Sequence, residues 1–139
     1  MLSNFWLVDR QADIKQKIEI MKDFVLLFRN AGEPMNTLSP QQMQNLMTDW
    51  QNWMGGIAAQ GKLSNMGYRL STEGNTLKAN DVTTDGPFAE IKEILTGVTI
   101  IKAETLEEAN ELAKGCPILK IGGSVEVRGV IVMDMDYNK

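Results

Sequence analysis

The sequence predicts a small α+β domain of the split βαβ type, an antiparallel sheet with both helices on one face. Three observations carry that expectation. Strand signals occur at the apolar run Phe24–Phe28, at Val98–Lys102, and at Ser124–Val132, where Val125 and Val127 alternate with Glu126 and Arg128 before the apolar Val130-Ile131-Val132. Two stretches of helical spacing each open on a capping signal, at Ser39 and at Thr105, and an alternating segment lies between the first helix and the second apolar run. The order strand, helix, strand hairpin, strand, helix, strand leaves one sheet face without cover. A small domain hides such a face against a second copy, so a homodimer with a cleft between or beside the sheets is expected.

Residues Asp9 to Met21 place Ile14, Ile18 and Met21 at helical spacing, which makes this segment either a short amphipathic helix on the main body or a loose extension. The domain start is placed at Met21, with 1–20 an N-terminal extension, 21–133 the domain and 134–139 a tail. Phe24-Val25-Leu26-Leu27-Phe28 is apolar at every position and reads as a central strand buried on both faces; Asn30-Ala31-Gly32-Glu33-Pro34 breaks it. Ser39-Pro40-Gln41-Gln42 combines a capping hydroxyl, proline at the first helical position and glutamine at the third, so a helix starts there and runs to about Gly61. Its apolar stripe is Met43, Leu46, Met47, Trp50, Trp53, Met54 and Ile57.

From Leu63 the period changes to two, with Met66, Tyr68 and Leu70 on one face. Glu73-Gly74-Asn75 then reads as the turn of a hairpin that returns through Leu77 and Ala79. Val98 to Lys102 is a second central strand. Thr105-Leu106-Glu107-Glu108 is a capping box opening a helix whose inner face is Leu106, Ala109, Leu112 and Ala113, ended by Gly115-Cys116-Pro117. The last strand is expected from Ser124 to Val132.

A chain of 139 residues, 43% hydrophobic and 23% charged, fits one soluble domain. The net charge of -4 and the lack of any basic run argue against a nucleic-acid surface, which draws its affinity from clustered Lys and Arg. One cysteine, Cys116, forms no internal disulfide and fits a reducing compartment. Without histidine the usual zinc, copper and haem ligand sets cannot be assembled, so no metal or other cofactor is expected. The apolar patch Phe5-Trp6-Leu7-Val8 is too short for a signal-peptide core, nothing reaches membrane-spanning length, and a cytoplasmic protein is the default.

The most distinctive stretch is Asp85-Gly86-Pro87-Phe88-Ala89-Glu90-Ile91-Lys92-Glu93, where two turn dipeptides precede an aromatic residue and several charges. Together with Met21-Lys22-Asp23-Phe24, Leu27-Phe28-Arg29, Cys116-Pro117 and Gly123-Ser124-Val125-Glu126-Val127-Arg128, it resembles the YCII-related family in its DGPF-motif branch, from Met21 to about Arg128. The resemblance implies a ferredoxin-like fold assembled as a dimeric α+β barrel. It also implies an association of this branch with extracytoplasmic-function sigma factors, and a suspected catalytic His and Asp pair in a dimer cleft. Trp50 falls at about the place of that histidine. Indole exchanges no proton near neutral pH, so a His–Asp mechanism is unavailable and Trp50 is better suited to stacking on a ligand.

Asp85 is either an Asx-type turn carboxylate or a base or polar contact at the cleft, and it is the one catalytic candidate. Phe88 anchors the loop or walls a ligand, and Lys92 beside Asp85 is either part of a solvated edge or a handle for an anion. Arg29 and Arg128 either pair with Glu126 or Glu93 or hold a ligand carboxylate. Cys116 is a small buried thiol rather than a nucleophile. The preferred function is a small-molecule-binding homodimer whose candidate ligand residues are Trp50, Tyr68, Asp85, Phe88, Lys92, Arg29 and Arg128. A cofactor-free enzyme using Asp85 and an interaction module in sigma-factor or stress-response regulation are the alternatives.

Overall fold

In the computed structural model, residues 20–30, 37–86 and 94–133 are described, with the backbone alone at Asp85. Strand β1 (Lys22–Asn30) is followed by helix α1 (Pro40–Ala59), strands β2 (Leu63–Arg69), β3 (Asn75–Lys78), β4 (Val82–Asp85) and β5 (Ile94–Ala103). Helix α2 (Leu106–Ala113), a 3₁₀ turn (Pro117–Ile121) and β6 (Ser124–Gly129) complete it. Four strands form an antiparallel sheet in the order β2-β5-β1-β6, while β3 and β4 pair with each other as a separate hairpin. Each helix thus joins two strands that have a strand of the other unit between them.

The register fixes what each sheet face carries. Phe24 pairs with Ile101 and Leu26 with Thr99, and these residues are buried beneath the helices in one core with Phe28, Ile57, Ala109, Ala113 and Ile118. The intervening pairs, Val25 with Ile100 and Leu27 with Val98, project to the opposite face and are half-buried. The central strands are therefore fully buried on the helix side alone, and among the described residues no layer covers the other side.

The expected closed, dimeric α+β barrel is not what this chain forms. A barrel requires its edge strands to be hydrogen-bonded to each other. Here β5 and β1 lie between β2 and β6, the two helices occupy one face, and no strand among the described residues bridges the edges. The architecture is an open α+β sheet with helices.

Local chemistry explains the elements. At α1, Ser39 Oγ accepts from the Gln42 amide at 3.1 Å and Gln42 Oε1 accepts from the Ser39 amide at 2.8 Å, so both halves of the capping box form. At α2 the box is only half made. Thr105 Oγ1 accepts from the Glu108 amide at 3.1 Å, but Glu108 reaches back to the amide of Glu104 at 3.4 Å and to Lys62 Nζ at 2.7 Å. Leu106, expected inside, is exposed.

The hairpin sits one segment later than its sequence pattern indicates. Residues Leu63 to Arg69 join the main sheet beside β5, and the hairpin turns through Ala79, Asn80 and Asp81 between the paired Lys78 and Val82, with Asn80 and Asp81 at φ values of 65° and 61°, the left-handed region that Asn and Asp tolerate. β6 ends at Gly129. The amide of Val130 still donates to Asp23 O at 3.2 Å, and the chain then leaves the sheet, short of the expected end at Val132. No helix among the described residues is long and apolar enough to cross a membrane.

Candidate functional site

Among the described residues, the sheet face opposite the helices is left uncovered and is the most distinctive surface. Its centre is Val25, Leu27, Val98 and Ile100. Its margins are polar: Lys102 Nζ lies 3.1 Å from Asp23 Oδ1 at one end, and Arg128 lies 3.3 Å from Glu126 along β6. Branched aliphatic residues belong at such positions because they pack well on a pleated surface, and the ion pairs keep the rim solvated.

Three candidate ligand residues belong to this face: Tyr68, Arg128 and, at the end of β1, Arg29. Tyr68 pairs with Val98 across β2 and β5 and is 75% exposed, and Arg128 pairs with Val25 across β6 and β1. Tyr68 owes its position to a distortion in β2. The register shifts between Asn65 and Tyr68, Asn65 Oδ1 accepts from the Gly67 amide at 2.7 Å, and Gly67 adopts a φ of 76°. A Cβ at Gly67 would lie 1.8 Å from the Val98 carbonyl oxygen, so glycine is required for this close approach. Arg29 continues the alternation of β1 and pairs with Ser124.

Trp50 is on the other side of the sheet. Its ring packs edge-on against Phe28 at 5.1 Å and Trp53 at 5.4 Å, within the aromatic corner under α1. Trp53 ties that corner to α2 through its indole N–H, which donates to Leu112 O at 2.9 Å, and Gly115 leaves room for the ring. The structure therefore brings Tyr68, Arg128 and Arg29 to one face and sets Trp50 apart from them.

Asp85 ends β4 opposite Asn75, and Gly86 follows with a φ of 69° and an amide that donates to Gly74 O at 2.7 Å. This closes the base of the hairpin with a bend at Gly86, and the rest of the expected turn lies outside the described residues. Phe88, Lys92, Glu90 and Glu93 lie outside the described residues. The hairpin itself carries a concavity of about 460 Å³ lined by Leu77 to Thr83.

Cys116 is 2% exposed, and burial pushes its thiol pKa up to about 12, which leaves no thiolate for nucleophilic chemistry. Among the described residues no three acidic or sulfur side chains converge as a metal site. The central apolar quartet is what residue-by-residue reading missed as a site. Its signal was present, because a strand apolar at every position has a second apolar face to cover.

Comparison with curated proteins gives no match. The YCII-related domain, by contrast, matches residues 23–134, which takes in every strand of the sheet, both helices and the hairpin. The chain belongs to the YCII-related domain family.

Proposed function

We propose that this protein is a small-molecule-binding homodimer, in which the uncovered sheet face of one protomer meets that of a second and a compact polar or aromatic ligand binds beside the contact, on the side of Asp85 and Gly86. The observation that carries this reading is the quartet Val25, Leu27, Val98 and Ile100 at the centre of an otherwise charged face. These four side chains are half-buried, and the apolar surface they still present is what face-to-face packing would cover, at roughly 25 cal/mol per Å² buried. The rim supports a two-fold contact, since each margin carries both signs of charge and a self-complementary interface pairs unlike charges. Tyr68 offers a ring for stacking at the edge of the contact, and Arg128 a fork for a ligand carboxylate. The sequence Asp85-Gly86-Pro87-Phe88 supports membership of the DGPF-motif branch within the family.

A thermal-shift screen of small polar and aromatic metabolites on the full chain tests the ligand half of the proposal. A saturable rise in Tm is expected, reduced in Tyr68→Ala and Arg128→Ala without a change in their ligand-free Tm. Product formation that Asp85→Asn abolishes while binding persists would establish the enzyme instead. Hits indifferent to both Tyr68 and Arg128 would remove the site from this face.

A further inference from the structure

The two edge strands of the sheet differ in how they meet solvent. In β2 the register shifts twice and Gly67 adopts a φ of 76°, a distortion that spoils this edge as a template for another strand. β6 has no such distortion. Its register against β1 runs unbroken from Gly129 opposite Phe24 to Ser124 opposite Arg29, and Ser124-Val125-Glu126-Val127-Arg128-Gly129 contains neither proline nor lysine.

One bond fixes the direction of every backbone group in β6. The Val130 amide donates to Asp23 O at 3.2 Å, one step beyond the pair of Gly129 and Phe24, so Val130 and Asp23 form a hydrogen-bonded pair of the ladder. Such pairs alternate along antiparallel strands, which turns the amides and carbonyls of Ser124, Glu126 and Arg128 toward β1 and those of Val125, Val127 and Gly129 outward. None of these outward groups has a hydrogen-bond partner among the described residues. The side chains divide the other way. Val125 and Val127 pack against the core, while Glu126 and Arg128, opposite Leu27 and Val25, stand on the uncovered face 3.3 Å from each other.

We infer that β6 pairs with the β6 of a second copy of this chain, antiparallel about a two-fold axis at Val127, so that two sheets run on as one. In that register Val127 exchanges both its bonds with the partner's Val127, and Val125 exchanges its bonds with the partner's Gly129, which uses every outward group of β6. The same register sets Glu126 opposite the partner's Arg128, and Arg128 opposite the partner's Glu126. These are non-hydrogen-bonded pairs with Cα atoms about 4.5 Å apart, where unlike charges stabilise and like charges repel. Neighbouring two-fold registers do worse on both counts. An axis at Glu126 or at Arg128 matches fewer outward groups of β6 and brings two glutamates or two arginines together at the axis. A foreign strand would have to carry the spacing Glu-x-Arg read antiparallel, which is the sequence β6 itself supplies.

This edge contact differs from the sheet-face contact proposed above. Its axis stands perpendicular to the sheet, whereas two sheets facing each other are related by an axis in the sheet plane, so one molecule can make both. Its backbone bonds replace bonds to water and cover little apolar surface, so it is the weaker contact and forms at roughly 0.1–1 mM.

Sedimentation equilibrium of the full chain up to about 1 mM tests the inference, with Ile100→Asp present throughout so that the face contact does not contribute. Three samples are compared: Ile100→Asp alone, the same chain with Glu126→Arg or with Arg128→Glu, and an equimolar mixture of those two charge variants. Each charge variant sets like charges opposite each other in a pair with itself, and the mixture restores unlike charges at both positions. The Ile100→Asp chain is expected to rise toward twice its monomer mass, each charge variant alone to associate at least about tenfold more weakly, and the mixture to recover to within about twofold. Recovery on mixing separates a contact between copies from a role of the Glu126–Arg128 pair within one chain. A chain that stays monomeric at 1 mM, charge variants that associate as well as their parent, or a mixture that does not recover would each overturn the inference. Both side chains reach solvent, so the charge variants fold. If Ile100→Asp itself loses its far-UV circular dichroism, the same comparison without it reads the edge contact as a doubling of the species present at tens of micromolar.

Discussion

At the scale of single residues, Gly67 and Glu108 make the most specific demands. Gly67 combines a φ of 76° with a Cβ position 1.8 Å from the Val98 carbonyl. Replacing it by alanine forces β2 away from β5, and Gly67→Ala is expected to lose roughly 3 kcal/mol in urea unfolding. A loss within a few tenths of that for an exposed Gly→Ala change would show that β2 yields at no cost. Glu108 has its carboxyl held below the ordinary carboxylate range, chiefly by the hydrogen bond from Lys62; burial opposes this, and the bond to the Glu104 amide and the Lys62 charge add smaller lowering effects. Because the folded pKa is depressed, the pairing stabilises the protein fully above the ordinary value near 4.5 and is lost as pH falls through the lower folded value. Stability measured from pH 6 to pH 3 should fall less steeply below 4.5 in Glu108→Gln than in the parent; parallel curves would contradict the assignment. Neither feature was readable beforehand. Gly67 looked like any glycine in an alternating strand, and Glu108 was expected to complete a capping box, because sequence spacing says nothing about a lysine 46 residues away that arrives on β2's approach.

At the scale of elements, the α1–α2 junction depends on a hydrogen bond between distant segments. The Trp53 indole bonds Leu112 O at 2.9 Å across 59 residues, beside the Phe28–Trp50–Trp53 ring cluster. Trp53→Phe keeps most of the ring volume but leaves Leu112 O only its longer bond from the Gly115 amide at 3.4 Å, so a loss of about 1 kcal/mol is expected by denaturant titration. The 3₁₀ turn that follows α2 buries Cys116 at its entrance. Iodoacetamide at pH 8 should leave the native thiol unmodified over hours and modify it promptly in denaturant, whereas rapid native labelling would show that this turn opens. Most elements were legible because their signals are local: the Ser39–Gln42 cap, the apolar runs in β1 and β5, and the Gly115-Cys116-Pro117 stop. The hairpin was misplaced because Glu73-Gly74-Asn75 is a strong turn signal, while Asn80-Asp81 signals only through its tolerance of positive φ. Strand pairing decided between them, since Leu63–Arg69 has β5 as a longer partner than any hairpin return could offer.

At the scale of the whole molecule, the family and the antiparallel α+β sheet followed from ordered motifs and from element order, whereas barrel closure did not. Closure depends on which strands end at the edges, and that emerges from long-range pairing rather than from any local pattern. The same pairing separates Trp50 from Tyr68 and Arg128, although all three were candidates for one cleft. What the open sheet leaves is an aliphatic centre in a charged surround, and the proposed function depends on a second protomer covering it. Sedimentation velocity on the full chain tests that claim most directly, with Ile100→Asp as the partner experiment. The account predicts a species of twice the 15.5 kDa chain mass that falls to monomer in Ile100→Asp with its far-UV circular dichroism unchanged. A parent protein that stays monomeric at tens of micromolar, or a dimer untouched by a charge at Ile100, would contradict it.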